Sequence, residues 1–217
     1  MPLSSAMLRI LIGDDHPLFR RGVRELLTDE LAPVEVGEAE SGQQILCFVQ
    51  KRQWDILVMD VTMPGRCGPE LLEDLKRARP SLPVLVVSTH PEQQFAVRMF
   101  KAGASGYLSK ASAATELVEA IKKILTGGKY ITGSVGEQLA STIQGGTEKL
   151  PHEHLSDREY QVLCMLAAGR TLREIGDQLY VSVNTVSTYR SRILEKMNLK
   201  NNIELTHYAI RHSLVSL

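Results

Sequence analysis

The chain has 217 residues, 43% of them apolar and 23% charged, which suits one large domain or two modest ones with self-sufficient cores. Lys plus Arg and Asp plus Glu balance at 25 each, so the formal net charge is zero. That balance excludes a general polybasic nucleic-acid binder and leaves room for a local basic surface.

In chain order, short apolar runs alternate with amphipathic stretches through the first half. The pattern predicts strands over 8–12, 34–36, 56–59, 84–87 and 106–108, and helices over 18–28, 43–51, 70–78, 93–101 and 114–125. Such alternation implies β-α-β units around a parallel sheet, and five pairs fit a doubly wound α/β domain. Ser41-Gly-Gln-Gln44 has the form of a capping box, Pro91 after His90 suits a first helical turn, and Gly103 and Gly127-Gly128 suit helix stops. Residues 128–152 are rich in glycine and poor in large apolar groups, so they read as a linker with one short helix near 135–143. Four helices follow, over 157–168, 172–179, 183–198 and 203–212, with a strand-like run only around 180–183. Ser156-Asp-Arg-Glu159 and Thr171-Leu-Arg-Glu174 are capping boxes, and Ser182 can cap the third of these helices.

The cysteines Cys47, Cys67 and Cys164 are far apart and unpaired by spacing, which fits a reducing compartment rather than a disulfide framework or a zinc knuckle. No signal-like opening and no run near the ~20 apolar residues of a spanning helix is found, so a cytoplasmic protein without a membrane partner is expected.

Open parallel sheets bind ligands at the carboxyl ends of their strands. Here the first strand runs into Asp14 and Asp15, the third ends at Asp60, the fourth at Ser88 and Thr89, and the fifth carries Tyr107 and leads to Lys110. Packed carboxylates repel unless a cation neutralises them, and an all-oxygen set points to Mg²⁺. One of the carboxylates then becomes a candidate nucleophile toward phosphorus, with Mg²⁺ and a lysine stabilising the transferred group. Each residue also has a plainer reading. Asp14 or Asp15 can be a helix N-cap before Pro17, Asp60 a turn residue, Lys110 solvated surface and Tyr107 a half-buried edge aromatic.

Ile10-Leu-Ile-Gly-Asp-Asp-His16, Val58-Met-Asp-Val-Thr-Met-Pro64 with Gly68, Val84-Leu-Val-Val-Ser88 and Ala102-Gly-Ala-Ser-Gly-Tyr-Leu-Ser-Lys110 resemble, in order, the motifs of receiver domains. The resemblance implies a flavodoxin-like five-stranded parallel sheet of order 2-1-3-4-5 over 7–127. It implies Asp60 as phosphoryl acceptor, and Asp14, Asp15, Asp60 and the Thr62 backbone carbonyl at the Mg²⁺ site, with Asp15 the direct ligand of the acidic pair. It further implies Lys110 and Ser88 on the phosphoryl oxygens, and Ser88 and Tyr107 as the switch. Gly13 and Ala111 depart from the pattern, since many receivers carry an apolar residue and a proline there.

On the helix over 183–198, Val186, Tyr189, Ile193 and Met197 recur at helical spacing and are expected in the core. Asn184, Thr188, Ser191 and Glu195 then point outward, flanked by Ser187 and Arg192. Small polar side chains admit a helix to the major groove and can bond base edges, while Arg190, Lys196 and Lys200 are placed for phosphates. An ordinary solvated helix would show the same periodicity. Leu155-Ser-Asp-Arg-Glu159, Ala168-Gly169, Glu174-Ile and Val183-Asn-Thr-Val-Ser-Thr-Tyr-Arg-Ser-Arg-Ile-Leu-Glu-Lys-Met197 are similar to the LuxR-type helix-turn-helix domain. The resemblance assigns a small all-α four-helix DNA-binding domain to 153–217 and the whole chain to the NarL/FixJ family of response regulators. The tail is similar to the GacA/UvrY branch, and Val186-Ser-Thr-Tyr189 also to BvgA and EvgA. The implied partners are a sensor histidine kinase and double-stranded DNA bound as a homodimer, with 203–212 supporting dimerisation. The implied role is regulatory rather than enzymatic. Two alternatives are a phosphorylation-independent DNA-binding dimer with a vestigial receiver, and an aspartate-nucleophile phosphatase. The second is disfavoured because Asp60-Val-Thr62 lacks the second aspartate of a D-x-D motif.

Overall fold

Five strands and five helices alternate through the first part of the chain: β1 (Leu8–Gly13), α1 (Pro17–Glu30), β2 (Val34–Ala39), α2 (Gly42–Lys51), β3 (Ile56–Asp60), α3 (Gly68–Ala78), β4 (Val84–Ser88), α4 (Glu92–Lys101), β5 (Gly106–Ser109) and α5 (Ala113–Leu125). This computed structural model describes residues 7–63, 68–89, 92–133, 135–137, 150–212 and 214–215. They fall into two compact units that divide between residues 144 and 145.

The sheet is wholly parallel, in the expected order β2-β1-β3-β4-β5. Every residue of β3 and β4 is buried, as central strands covered on both faces must be. One face, carrying Ile10, Ile12, Ile56, Val58, Leu85, Val87 and Leu108, packs on Val23 and Leu27 of α1 and on Leu117, Ala120, Ile121 and Ile124 of α5. Strands run further than their apolar cores suggested, because the backbone ladder continues through polar positions. Gly13 pairs with Ala39 and Met59, Asp60 with Val87, and Ser88 with Ser109.

Helix punctuation agrees in part. Gly103 and Gly127 take positive φ, 106° and 88°, and end α4 and α5. Ser41 Oγ accepts the Gln44 N–H at 3.4 Å, but the Gln44 side chain accepts from Glu40 rather than from Ser41, so only half of the expected box forms. His90 and Pro91 lie outside the described residues. Gly13 leaves space that the Ile45 side chain of α2 fills, so a Cβ there would collide with it. Gly37 likewise makes room for Trp54. Trp54 is buried, donates from Nε1 to the Phe48 carbonyl at 3.2 Å, and lies 4.0 Å beneath the Arg52 guanidinium.

Hydrogen-bonded structure reaches into both ends of the expected linker. Lys129 Nζ donates to the Ala104 carbonyl at 2.7 Å, the Tyr130 N–H to Ser105 at 2.9 Å, and the Tyr130 hydroxyl to Glu116 at 2.8 Å. These bonds tie Lys129 and Tyr130 to the first unit. Residues 133 and 135–137 are helical, while the rest of the expected short helix over 135–143 lies outside the described residues. At the other end, Pro151–His154 forms a 3₁₀ turn, and His152 Nδ1 lies 2.8 Å from the Tyr208 hydroxyl.

The second unit is helical: α6 (Asp157–Ala167), α7 (Leu172–Leu179), α8 (Val183–Lys196) and α9 (Asn202–Arg211). Both capping boxes, at Ser156–Glu159 and Thr171–Glu174, form in full, and Ser182 accepts the Thr185 N–H. Val162, Leu163, Ile175, Val186, Ile193, Leu205 and Ala209 are fully buried. Tyr189, expected in the core, is only half-buried. The strand-like run at 180–183 is instead the turn between α7 and α8. Tyr180 takes the left-handed conformation, φ 54° and ψ 41°, and the Val181 N–H returns to the Gly176 carbonyl at 2.9 Å. Gly176 allows this reversal, since a Cβ there would stand 2.8 Å from the Val181 carbonyl oxygen. Gly176→Ala is expected to lower the melting temperature of the second unit, costing about 1–3 kcal/mol because backbone must shift. Thermal unfolding monitored by circular dichroism would check this.

Candidate functional site

The first site is built at the carboxyl ends of β1, β3 and β5. Asp14, just past β1, and Asp60, the last residue of β3, are each 1% exposed, and Ser88, ending β4, is fully buried. The Lys110 N–H donates to the Ser88 carbonyl at 2.7 Å, which fastens the chain after β5 to β4. Lys110 Nζ then reaches Asp14 Oδ2 at 2.6 Å and Asp60 Oδ2 at 2.9 Å. Thr62 folds over Asp60, its N–H and hydroxyl both 3.2 Å from Oδ1. The sequence-predicted residues Asp14, Asp15, Asp60, Thr62, Ser88 and Lys110 are thus gathered at one end of the sheet.

The plainer readings account for only part of this geometry, chiefly the turn bonds that Asp14 Oδ1 and Asp60 Oδ1 accept from the N–H groups two residues on. The N-cap of α1 is His16, not Asp14 or Asp15, and Asp14 Oδ1 accepts the His16 N–H at 2.8 Å. Asp60 is a buried strand residue, and the Lys110 side chain is 12% exposed. Tyr107 on β5 is fully enclosed rather than half-buried. Thr89, beside buried Ser88, is exposed.

The electrostatics follow from burying two carboxylates around one ammonium. Burial pushes the Asp14 carboxyl above its ordinary range, with Asp60 adding to the rise and Lys110 opposing it. Burial pulls the Lys110 ammonium down, but Asp60 and Asp14 together outweigh it and hold the group above the usual lysine range. Asp14 Oδ2 is buried and receives no well-directed hydrogen bond, so its compensation is the nearby ammonium charge.

Two contributors were not foreseen. Arg20 of α1 is buried and donates to the Asp14 carbonyl at 2.7 Å, to Glu38 at 3.2 Å and to Glu40 at 2.6 Å. It fixes the backbone that presents the acidic pair. The available signal was a charged residue on the same helical face as Val23 and Leu27. His16 Nδ1 lies 2.8 Å from Asp15 Oδ1 and 3.1 Å from Asp14 Oδ1. One donor atom each from Asp14, Asp15, His16 and Asp60 falls within a 4.8 Å cluster able to hold a cation.

The second site is the outer face of α8. Asn184, Thr188, Ser191, Arg192 and Glu195 are exposed and Ser187 is half-buried. Arg190 and Lys196, expected at phosphates, are engaged within the unit: Arg190 Nε donates to Asn202 Oδ1 at 2.6 Å, and Lys196 Nζ to Glu159 Oε2 at 2.7 Å. Desolvation works against the Glu159 anion, yet Lys196 and Ser156 outweigh it and hold its carboxyl below the usual range. The exposed side chains of Arg192 and Lys200 remain for an outside anion.

Residues 10–122 match the response regulator receiver domain, and residues 153–209 match the luxR family of bacterial regulatory proteins. The chain is 36% identical over 209 residues to the response regulator UvrY of Escherichia coli K12, covering 96% of each protein. It is 37% identical over 210 residues to the response regulator GacA of Pseudomonas aeruginosa, covering 96% of this chain and 98% of that one. Among solved structures it is similar to the RcsB response regulator of Salmonella typhimurium, with a TM-score of 0.67 at 27% identity over 97% of this chain and 99% of that one. A complex of RcsB with DNA aligns at a TM-score of 0.58 and 27% identity, over 97% of this chain and 100% of that one. The chain therefore belongs to the NarL/FixJ family of response regulators, transcription regulators that join a receiver domain to a LuxR-type DNA-binding domain.

Proposed function

We propose that Asp60 accepts a phosphoryl group from the phosphohistidine of a sensor kinase, and that the modified receiver controls binding of the second domain, as a homodimer, to double-stranded DNA. The observation that carries this reading is a buried Asp60 carboxylate with an ammonium at 2.9 Å and two further aspartates beside it. The domains would run from residue 7 to just past Tyr130 and from about 150 to 217.

An oxygen-rich donor set in which Asp14 and Asp60 share a single ammonium, with Asp15 beside them, fits Mg²⁺. When bound, Mg²⁺ supplies charge that neutralises the carboxylates and steadies the phosphoryl oxygens. Asp14, Asp15, Asp60 and the Thr62 carbonyl would hold it. In the transfer, a carboxylate oxygen of Asp60 forms a bond to phosphorus as the donor's N–P bond breaks, and the imidazole leaves with that electron pair. The Lys110 ammonium, already between Asp14 and Asp60, pairs with a phosphoryl oxygen. The Ser88 hydroxyl at the end of β4 bonds another, and its movement draws Tyr107 with it. The face of α4 and α5 then changes, a local charge event biasing a two-state element. Because the group stays on the chain's own aspartate, the protein is an acceptor rather than a turnover enzyme.

For DNA, Asn184, Ser187, Thr188 and Ser191 would face bases, with Arg192 and Lys200 on phosphates; Arg190 and Lys196 would have to leave their present partners. The RcsB complexes with DNA, including one of two RcsB dimers on parallel DNAs, support the dimeric mode. No helix of the described residues is long and apolar enough to cross a membrane. We place the protein's work in the cytoplasm, where kinase output meets the chromosome.

Intact-protein mass after incubation with Mg²⁺ and a small acyl phosphate tests the acceptor. One phosphoryl adduct is expected on the wild type and none on Asp60→Asn. Equal labelling of both would move the acceptor elsewhere. No labelling even with a histidine kinase would leave a phosphorylation-independent DNA binder.

A further inference from the structure

We propose that His16, through Nδ1, is a donor of the divalent-cation site, so that this receiver favours first-row ions such as Mn²⁺ over Mg²⁺ more than its carboxylates alone would. The inference rests on the metal site proposed at Asp14, Asp15 and Asp60. Neighbouring donors in an octahedral shell of ~2.1 Å bonds stand about 3 Å apart, and opposite ones about 4.2 Å. Nδ1 lies 2.8 Å from Asp15 Oδ1 and 3.1 Å from Asp14 Oδ1, which is the neighbour spacing. The full cluster, with Asp60, spans no more than 4.8 Å.

The surroundings point the same way. Lys110 stands against Oδ2 of Asp14 and Oδ2 of Asp60, so its charge bars a cation from that side. The approach left is past Asp14 Oδ1 and Asp15 Oδ1, where His16 sits. Its backbone is held as the N-cap of α1, ahead of Pro17 and bonded to Asp14, while its side chain is 62% exposed with Nδ1 turned to the two carboxylates. Asp14, itself 1% exposed, turns Oδ1 toward His16 and leaves Oδ2 to Lys110, so the two sides of the carboxylate are divided between the cluster and the ammonium. Imidazole nitrogen is a poor partner for Mg²⁺ and a better one along the first-row series, of which Mn²⁺ is the weakest binder and so the strictest probe.

The test is pulsed electron paramagnetic resonance on the full chain loaded with sub-stoichiometric Mn²⁺, alongside Mn²⁺ and Mg²⁺ titrations of wild type and His16→Gln. Nitrogen modulation of the Mn²⁺ echo is expected in the wild type and not in the variant. Mn²⁺ affinity should fall roughly tenfold in His16→Gln, while Mg²⁺ affinity changes by less than about twofold. Bound Mn²⁺ without nitrogen coupling, or coupling that survives in the variant, overturns the role of His16 and leaves the aspartate site standing. Failure of wild type to bind either ion overturns both.

Discussion

Replacing Thr188 with glutamate is expected to weaken binding to a duplex that the wild type recognises by at least about 100-fold, because at the proposed base-facing position a carboxylate would be repelled by the phosphates. Thr188 is exposed in the middle of the outer face of α8, its hydroxyl turned to the Asn184 carbonyl one turn earlier. Nothing in the core depends on it. The melting temperature should therefore hold, within the roughly ±0.5 kcal/mol of a surface change. Fluorescence anisotropy at fixed salt reads the first effect and calorimetry the second. Arg192→Ala, one helical turn on, should reduce the salt slope by about one and weaken all sequences alike. Wild-type affinity in Thr188→Glu would remove this face of α8 from the interface.

In the chelator-treated protein, Asp14→Asn is expected to raise the melting temperature. Asp14 is buried beside Asp60, and its folded-state carboxyl is raised above the unfolded value. The folded chain thus binds more protons there than the unfolded chain. Stability from this group falls as pH rises from about 3.9, the unfolded value, and above the folded value the whole penalty persists. Asparagine keeps an acceptor for the His16 N–H and removes the charge, while Lys110 keeps Asp60. Relieving a functional site of this kind commonly adds about 0.5–2 kcal/mol. The gain should vanish at low pH, where Asp14 is protonated. Mg²⁺ should stabilise the wild type by mass action and the variant far less. Melting curves across pH, with and without Mg²⁺, check each part; an unchanged or lowered melting point at neutral pH without metal would contradict the electrostatic account.

The alternation of apolar runs and amphipathic stretches made the α/β domain and its helical partner legible, because strand and helix periods differ and each element must bury one face. The gathering of Asp14, Asp60 and Lys110 was legible because strand ends in a parallel sheet share one edge. What escaped was set by three-dimensional contact. Gly127-Gly128 looked like a domain end, yet Tyr130 returns to β5 through Ser105 and Glu116. Arg190 and Lys196 looked available, yet Asn202 and Glu159, both distant in sequence, hold them. Arg20 was not singled out, although it shares a helical face with Val23 and Leu27, because the carboxylates that compensate its burial, Glu38 and Glu40, come from β2 and the residue just past it. Tyr189 kept the helical period but sits half-buried, since periodicity fixes direction and not depth of cover.

Trp54, the chain's one tryptophan, fills the space beside Gly37 just ahead of β3. It therefore lies at the amino end of that strand, with Asp60 at the other. Its fluorescence is a private reporter of the receiver. A buried indole under a guanidinium should shift to the red when that domain opens, while the second domain, with tyrosines alone, stays dark under excitation selective for indole. One emission trace and one far-ultraviolet dichroism trace on the same sample would then separate two unfolding events that a single melting curve merges.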